Sequence, residues 1–244
     1  MSPALLVLAV DTSGPAVTAA LHDGDAVLAA VSRHDPRRHA ELLAPAIAEV
    51  LDAAGRARGE LTAVVTGVGP GPFTGLRVGV VTALVLGAAL GVPAHGVCSL
   101  DALAEAAPPG LPDFLVATDA RRREVHWARY TRDAAGYPVR VDGPYVDAPP
   151  DVVTGGLPIV GRGAALYPEV LGAPSPGAPL DVDAAALATV AVRALAVGPL
   201  AVGALAVGPL AGRAAGGGVL LPPEPLYLRR PDAVEPGARK RVLR

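Results

Sequence analysis

Residues 5–31 read LLVLAV-DTSGP-AVTAAL-HDGD-AVLAAV, and the punctuation of this stretch sets the fold. Leu5–Val10 is an unbroken apolar run of strand length, the pattern of a buried strand. Ala16–Leu21 and Ala26–Val31 follow, separated by His22-Asp23-Gly24-Asp25. Asp-Gly between two short apolar runs predicts a hairpin, because glycine accepts the positive φ that a primed turn demands. Three consecutive strands therefore open the chain as antiparallel neighbours. Leu42, Leu43, Ala46, Ile47, Val50, Leu51 and Ala54 then recur at three- and four-residue spacings, which lays them on one face of a helix ending near Gly55. Leu61–Val68 predicts a fourth strand, and after the loop Gly69–Gly75 a second helix runs to about Leu90.

The order β-β-β-α-β-α is that of RNase H-like and actin-like domains. A strand meander followed by crossovers implies an α/β fold with a mixed sheet and helices on its faces. Beyond Val97 the pattern loosens. Leu100–Ala107 reads as a helix, Asp113–Thr118 and Glu124–Thr131 as strands, and Ala184–Leu195 as an alanine-rich helix.

Composition narrows the function classes. The chain has 244 residues, 51% of them hydrophobic, with 21 Lys+Arg against 23 Asp+Glu. That hydrophobicity excludes a disordered protein, and the near-neutral balance argues against holding nucleic acid by bulk charge. The single cysteine, Cys98, excludes a disulfide framework and a cysteine zinc site and fits a reducing, cytoplasmic setting. Met1-Ser2-Pro3 lacks the basic start of a secretory signal. A long uncharged stretch, Ala194–Gly212, is interrupted by Gly198-Pro199 and Gly208-Pro209, which argues against a membrane span. It is a tandem repeat, ALAVGPLAVG at 194–203 and ALAVGPLAGR at 204–213. Two copies are too few for a solenoid, so a duplication within a loop or helix is expected. The last residues hold Arg229, Arg230, Arg239, Lys240, Arg241 and Arg244 against Asp232 and Glu235, the pattern of a solvated basic end in preference to an RNA-contacting arm.

Few segments are equipped for chemistry. Asp11-Thr12-Ser13 ends the first strand, where actin-like ATPases place their first phosphate loop; a plain turn into the hairpin explains the same residues. Asp119 ends a later strand and is a candidate second phosphate-loop acid, or a turn former. Gly69–Gly75 (GPGPFTG) lacks the Lys-Ser/Thr of a Walker loop and the spacing of a dinucleotide fingerprint. Pro70 and Pro72 also remove amide donors, so a stiff, shaped connection is the better reading. His34 and His39 lie about 140° apart round a helix and do not form a zinc pair. Asp11 and Glu41 supply only part of a two-metal nuclease set.

The second helix has almost no polar face, with Arg77 and Thr82 the exceptions. Gly75, Gly79, Ala83, Gly87 and Gly91 form a small-residue ridge at four-residue steps, a surface that another helix can approach closely. Glycines 79 and 87 cost about 2 kcal/mol in helix propensity, which close packing has to offset. Such a helix is either buried on all sides within one domain or turned toward a partner chain.

Taken together, Leu8-Ala9-Val10-Asp11-Thr12-Ser13, His39-Ala40-Glu41-Leu42-Leu43, Gly69–Gly79, Gly91-Val92-Pro93, Gly96–Leu100, Asp119-Ala120-Arg121 and Pro225–Arg229 resemble the TsaB (YeaZ) family. The likeness spans nearly the whole chain and departs at Pro72, where that family usually has serine. It implies an actin-like (ASKHA, RNase H-like) fold of two lobes, each a mixed sheet flanked by helices. Residues 1–98 would form the partner-binding lobe, 99–222 a smaller lobe carrying the duplication, and 223–244 a basic tail. The resemblance further implies a non-catalytic subunit supporting TsaD in tRNA threonylcarbamoyladenosine modification, together with TsaE. In the absence of TsaD it would form a homodimer, and tRNA would be met only indirectly. The partner face would comprise His39, Leu42, Leu43, Ala46, Ile47 and Val50 on the first helix, with Gly75, Leu76, Gly79, Val80, Ala83, Leu84 and Gly87 on the second. No cofactor or metal is required. Asp11, Thr12, Ser13 and Asp119 would be a vestigial nucleotide loop, leaving room for weak nucleotide and Mg binding at a subunit interface. An actin-like phosphotransferase or ATPase using Asp11 and Asp119 is the alternative, and an RNase H-like nuclease a third.

Overall fold

The computed structural model describes residues 5–196 and 220–229. The duplicated block beyond Ala196 and the basic end from Arg230 lie outside the described residues.

The first sheet holds β1 (Val7–Asp11), β2 (Ala16–His22), β3 (Val27–His34), β4 (Ala63–Gly67) and β5 (Ala94–Val97) in the order β3-β2-β1-β4-β5. The opening meander is antiparallel, while β1, β4 and β5 run parallel. Helices α1 (His39–Ala53) and α2 (Phe73–Leu90) make the crossovers. After α3 (Ser99–Glu105), the second sheet is built from β6 (Asp113–Asp119), β7 (Val125–Arg132), β8 (Pro138–Asp147) and β9 (Ile159–Val160), ordered β8-β7-β6-β9. Short helices α4 (Arg162–Leu166) and α5 (Pro168–Leu171) and the longer α6 (Ala184–Ala196) complete the described chain. This mixed sheet with helical crossovers is the arrangement that the strand meander anticipated.

Side-chain alternation along the strands sorts the core into layers. Leu8 and Val10 of β1 face α1 and α2, whereas Val7 and Ala9 face a middle layer of α3 and α6. The same middle layer covers Phe114, Val116, Ala128 and Tyr130 of the second sheet. Leu115, Ala117 and Trp127 point the other way, toward α4 and α5. The β1 strand is buried on both faces, which is why its sequence is continuously apolar. Within the middle layer, Tyr130 Oη donates to Asp101 Oδ1 (2.7 Å), and Arg140 Nε lies 3.4 Å from the same oxygen. Arg193 on α6 binds Glu105 on α3 through both guanidinium nitrogens, at 2.7 and 2.9 Å.

Two expectations about boundaries change. Helix α6, placed by sequence in the second lobe, packs on β1 and β2 of the first sheet, because its buried Leu187, Ala188 and Ala191 complete that sheet's open face. Residues 223–229 are not a free tail. Leu221 pairs with Gly96 on the β5 edge, Leu226 N donates to Val68 O (2.7 Å), and Arg229 Nη1 reaches Ala120 O in the second lobe (3.2 Å).

The small-residue ridge of α2 also has a different addressee. A methyl group on Gly79 would lie 2.7 Å from Thr12 Oγ1 and 3.1 Å from Thr66 Oγ1; on Gly75, 2.8 Å from Thr12 O; on Gly87, 3.0 Å from Val92 O. The ridge therefore seats α2 on its own sheet rather than on a partner. Leu76, Val80 and Ala83 are buried with it. On α1, Leu43, Ala46, Ile47 and Val50 are likewise spent on the sheet's core. Gly91, at φ 68°, ends α2 in the left-handed conformation that glycine adopts without strain.

Candidate functional site

The Asp11-Thr12-Ser13 turn emerges from the centre of the first sheet, but its polar atoms point inward. Asp11 is 1% exposed and accepts from Ser13 N (2.8 Å), Ser13 Oγ (2.8 Å) and Ser99 Oγ (2.9 Å). Burial pushes its carboxyl up, against the opposing pull of those hydrogen bonds. Thr12 Oγ1 donates to Gly75 O (2.8 Å) and accepts from Gly79 N (2.9 Å), so its hydroxyl sits between two groups that are i, i+4 partners along α2. Above the turn lies the Gly69–Gly75 loop. A side chain on Gly71 would meet Ser13 O at 2.3 Å, and one on Gly67 would strike the Asp11 carboxylate. Ser99 Oγ links the layers by accepting from Gly69 N (3.1 Å).

Ser13 and Asp119 line the same cleft between the two lobes, as do Pro70, Pro72, Arg121 and Arg162; Asp11 and Thr12 do not reach it. The cleft's charges are paired. Asp119 accepts from Arg121 N (2.8 Å) and lies 3.2 Å from Arg121 Nη1, while Arg162 grips Asp181 through Nε (2.7 Å) and Nη2. Its volume is about 210 Å³, below the roughly 300–1,000 Å³ of small-molecule pockets. Of the four residues expected to form a vestigial nucleotide loop, Ser13 and Asp119 reach the cleft, and Asp11 and Thr12 do not. Asp11 and Thr12 are enclosed by internal partners, and prolines roof the position where amide donors would be needed. Among the described residues, no three His, Cys, Asp or Glu side chains are gathered as a metal set. The sequence signal for this closure was the glycine pair at 75 and 79, four residues apart. Arg162 and Asp181 carried no local signal.

The second candidate is the outer face of α1 and α2. Of the thirteen residues expected there, ten are buried in the chain's own core: Leu43, Ala46, Ile47, Val50, Gly75, Leu76, Gly79, Val80, Ala83 and Gly87. His39 and Leu42 are half-buried, with His39 Nε2 2.9 Å from Gly14 O, and Leu84 is exposed. What faces outward is a different stripe. Val81 is 54% exposed, Leu84 44% and Val85 60%. Between the helices runs a groove of about 510 Å³ floored by Ala44, Ile47, Ala48, Leu51 and Leu86 and rimmed by Asp52, Arg56 and Arg58. Helix α2 is apolar and long enough to cross a membrane by length and composition, and a third of it is buried in the protein. The exposed apolar stripe thus lies beside an apolar groove.

Residues 31–195 match the family model described as "TsaD: tRNA N6-adenosine threonylcarbamoyltransferase". An uncharacterized protein of Mycobacterium leprae is 50% identical over 154 residues, covering 62% of this chain and 41% of that protein. The tRNA threonylcarbamoyladenosine biosynthesis protein TsaB of Escherichia coli is 38% identical over 134 residues, covering 53% of this chain and 57% of its own length. The chain thus spans about two fifths and under three fifths, respectively, of these relatives. The solved structure of YeaZ from Pseudomonas aeruginosa superposes with a TM-score of 0.70 at 31% identity, covering 80% of this chain and 93% of that one.

Proposed function

Because this chain belongs to the TsaB/YeaZ family, we propose that it is a non-catalytic subunit of tRNA threonylcarbamoyladenosine biosynthesis that binds a TsaD-type partner through the outer face of α1 and α2. The observation that carries the reading is the stripe Val81, Leu84 and Val85, left uncovered beside an apolar groove although the opposite, glycine-ridge face of α2 is committed to its sheet. Hydrophobic burial is the principal driving force for association of this kind. The TsaD family model matching this chain supports a partner of related fold, since two such subunits can present like helix pairs to each other. In the partner's absence the same stripe closes on a second copy, and TsaE joins the assembled pair. The non-catalytic assignment is supported by the inward-facing Asp11-Thr12-Ser13 turn, whose polar atoms are occupied by Gly75, Gly79 and Ser99.

Mixing the purified chain with TsaD and measuring mass in solution tests the proposal. A heterodimer is expected, and Val85→Arg should abolish it while the isolated chain keeps its fold. Two independent monomers at micromolar concentration, or unchanged pairing by Val85→Arg, would sink it.

A further inference from the structure

A second surface is built differently, from arginines and exposed aromatic rings. The β6–β7 hairpin turns through Arg121, Arg122 and Arg123 with φ of 60°, 55° and 61°. Three successive L-residues in the left-handed region are rare, because each sets Cβ against its own carbonyl, and single Gly, Asn or Asp residues are the usual occupants. The turn is closed by Ala120 N to Glu124 O (3.0 Å) and Glu124 N to Arg121 O (3.0 Å), and all three arginines are exposed. Strain of this kind is characteristic of functional sites.

The C-terminal segment brings a second element to this turn. Arg229 binds Ala120 O and pairs with Glu124. Two residues earlier, within about 7 Å along the chain, Tyr227 stacks on Phe73 at 5.2 Å between ring centroids. Arg77 lies over the Phe73 ring at 3.7 Å and donates from Nε to Tyr227 Oη (2.9 Å). Both rings stay open, Phe73 47% and Tyr227 39% exposed. The patch holds Arg77, Arg121, Arg122, Arg123 and Arg229 against Asp119 and Glu124, on a chain whose net charge is −2. Among the described residues neither Arg77 nor Arg123 meets a carboxylate.

We propose that this patch binds unpaired RNA directly, phosphates on the Arg121–Arg123 turn and a base against the Phe73–Tyr227 platform. Exposed rings and a flat guanidinium beside a cationic turn suit a polyanion that carries π faces, which single-stranded RNA is and an acidic peptide is not. The inference rests on the tRNA-modification reading for its choice of nucleic acid, and it replaces the expectation that RNA is met only through a partner.

The test titrates the full chain into a labelled, unpaired oligoribonucleotide, into a duplex RNA of the same sequence, and into polyglutamate, at several salt concentrations. Arg121→Asn with Arg123→Asn keeps residues that tolerate the left-handed conformation and removes two charges. It should weaken binding about tenfold or more at low salt and lower the salt slope by about 1–2. Phe73→Ala should weaken binding to the unpaired strand at least fivefold with the slope unchanged. Phe73→Leu, which keeps apolar volume without a π face, should repeat that loss and guards against misfolding. No binding by the wild-type chain, equal binding to duplex or polyglutamate, or indifference to these substitutions overturns the proposal. The Arg121→Asn, Arg123→Asn variant, which lies outside α1 and α2, is expected to pair normally with TsaD, so a failed RNA result leaves the scaffold reading standing, and failed pairing in the wild type strikes that reading alone.

Discussion

Gly79→Ala decides whether the α2 ridge serves the sheet. Helix propensity alone predicts stabilisation of about 1 kcal/mol. The structure predicts the opposite sign. The new methyl group would sit 2.7 Å from Thr12 Oγ1 and 3.1 Å from Thr66 Oγ1, and Thr12 is 1% exposed with its hydroxyl held by Gly75 O and Gly79 N. Making room costs about 1–3 kcal/mol in overpacking, and displacing the hydroxyl forfeits hydrogen bonds of about 0.5–1.5 kcal/mol each. After subtracting the propensity gain, the net loss is about 1–5 kcal/mol, read as a lower urea midpoint at unchanged m. At this chain length each kcal/mol lowers Tm by about 2–4 °C. Adding Thr12→Ala should relieve the damage, because it removes Oγ1 and lets Gly75 O pair with the amide of residue 79 along the helix. The double variant is then less destabilised than the sum of the singles by about 1–2 kcal/mol. A Gly79→Ala protein more stable than wild type, or a cycle with no coupling, would refute the close-approach argument.

Three further outcomes are expected. Val81→Ser, at a 54% exposed position, should change urea stability by no more than about 0.5 kcal/mol while weakening association with TsaD in a mass measurement. His126, buried and with Nδ1 unpartnered among the described residues, is depressed by desolvation to about 4, so between that value and the unfolded 6.5 the unfolded chain binds more protons and stability falls as pH falls; the loss approaches about 3 kcal/mol. His126→Gln should flatten that limb relative to wild type, the comparison separating it from Asp11, whose raised carboxyl acts in the opposite sense. Cys98, fully buried with its thiol pushed up to about 11 by burial, should resist maleimide at neutral pH and label only as the chain unfolds.

The first half of the fold was legible because local pattern and tertiary outcome agree there. The Asp23-Gly24 turn, the unbroken Leu5–Val10 run and the three-and-four spacing from Leu42 to Val50 each match what the sheet and α1 require. The second lobe was harder. Strand β8 contains Gly143-Pro144 and a register shift against β7, which erase the alternation by which a strand is recognised. Helix α6 was visible as a helix, but its partner sheet was not, since an apolar face does not say which other face it meets.

The same limit governs the functional surface. The sequence alone determined that α2 carries more apolar area than one contact can hide, that a glycine ridge runs along it, and that the Asp11-Thr12-Ser13 turn follows a buried strand. Only the tertiary structure decided which way the helix turns. Glycine permits close approach without naming the neighbour, and the Thr12 hydroxyl, 63 residues from Gly75 in sequence, claims the ridge for β1. Seating that ridge inward rotates Val81, Leu84 and Val85 outward, because 3.6 residues per turn cannot place both stripes on one side.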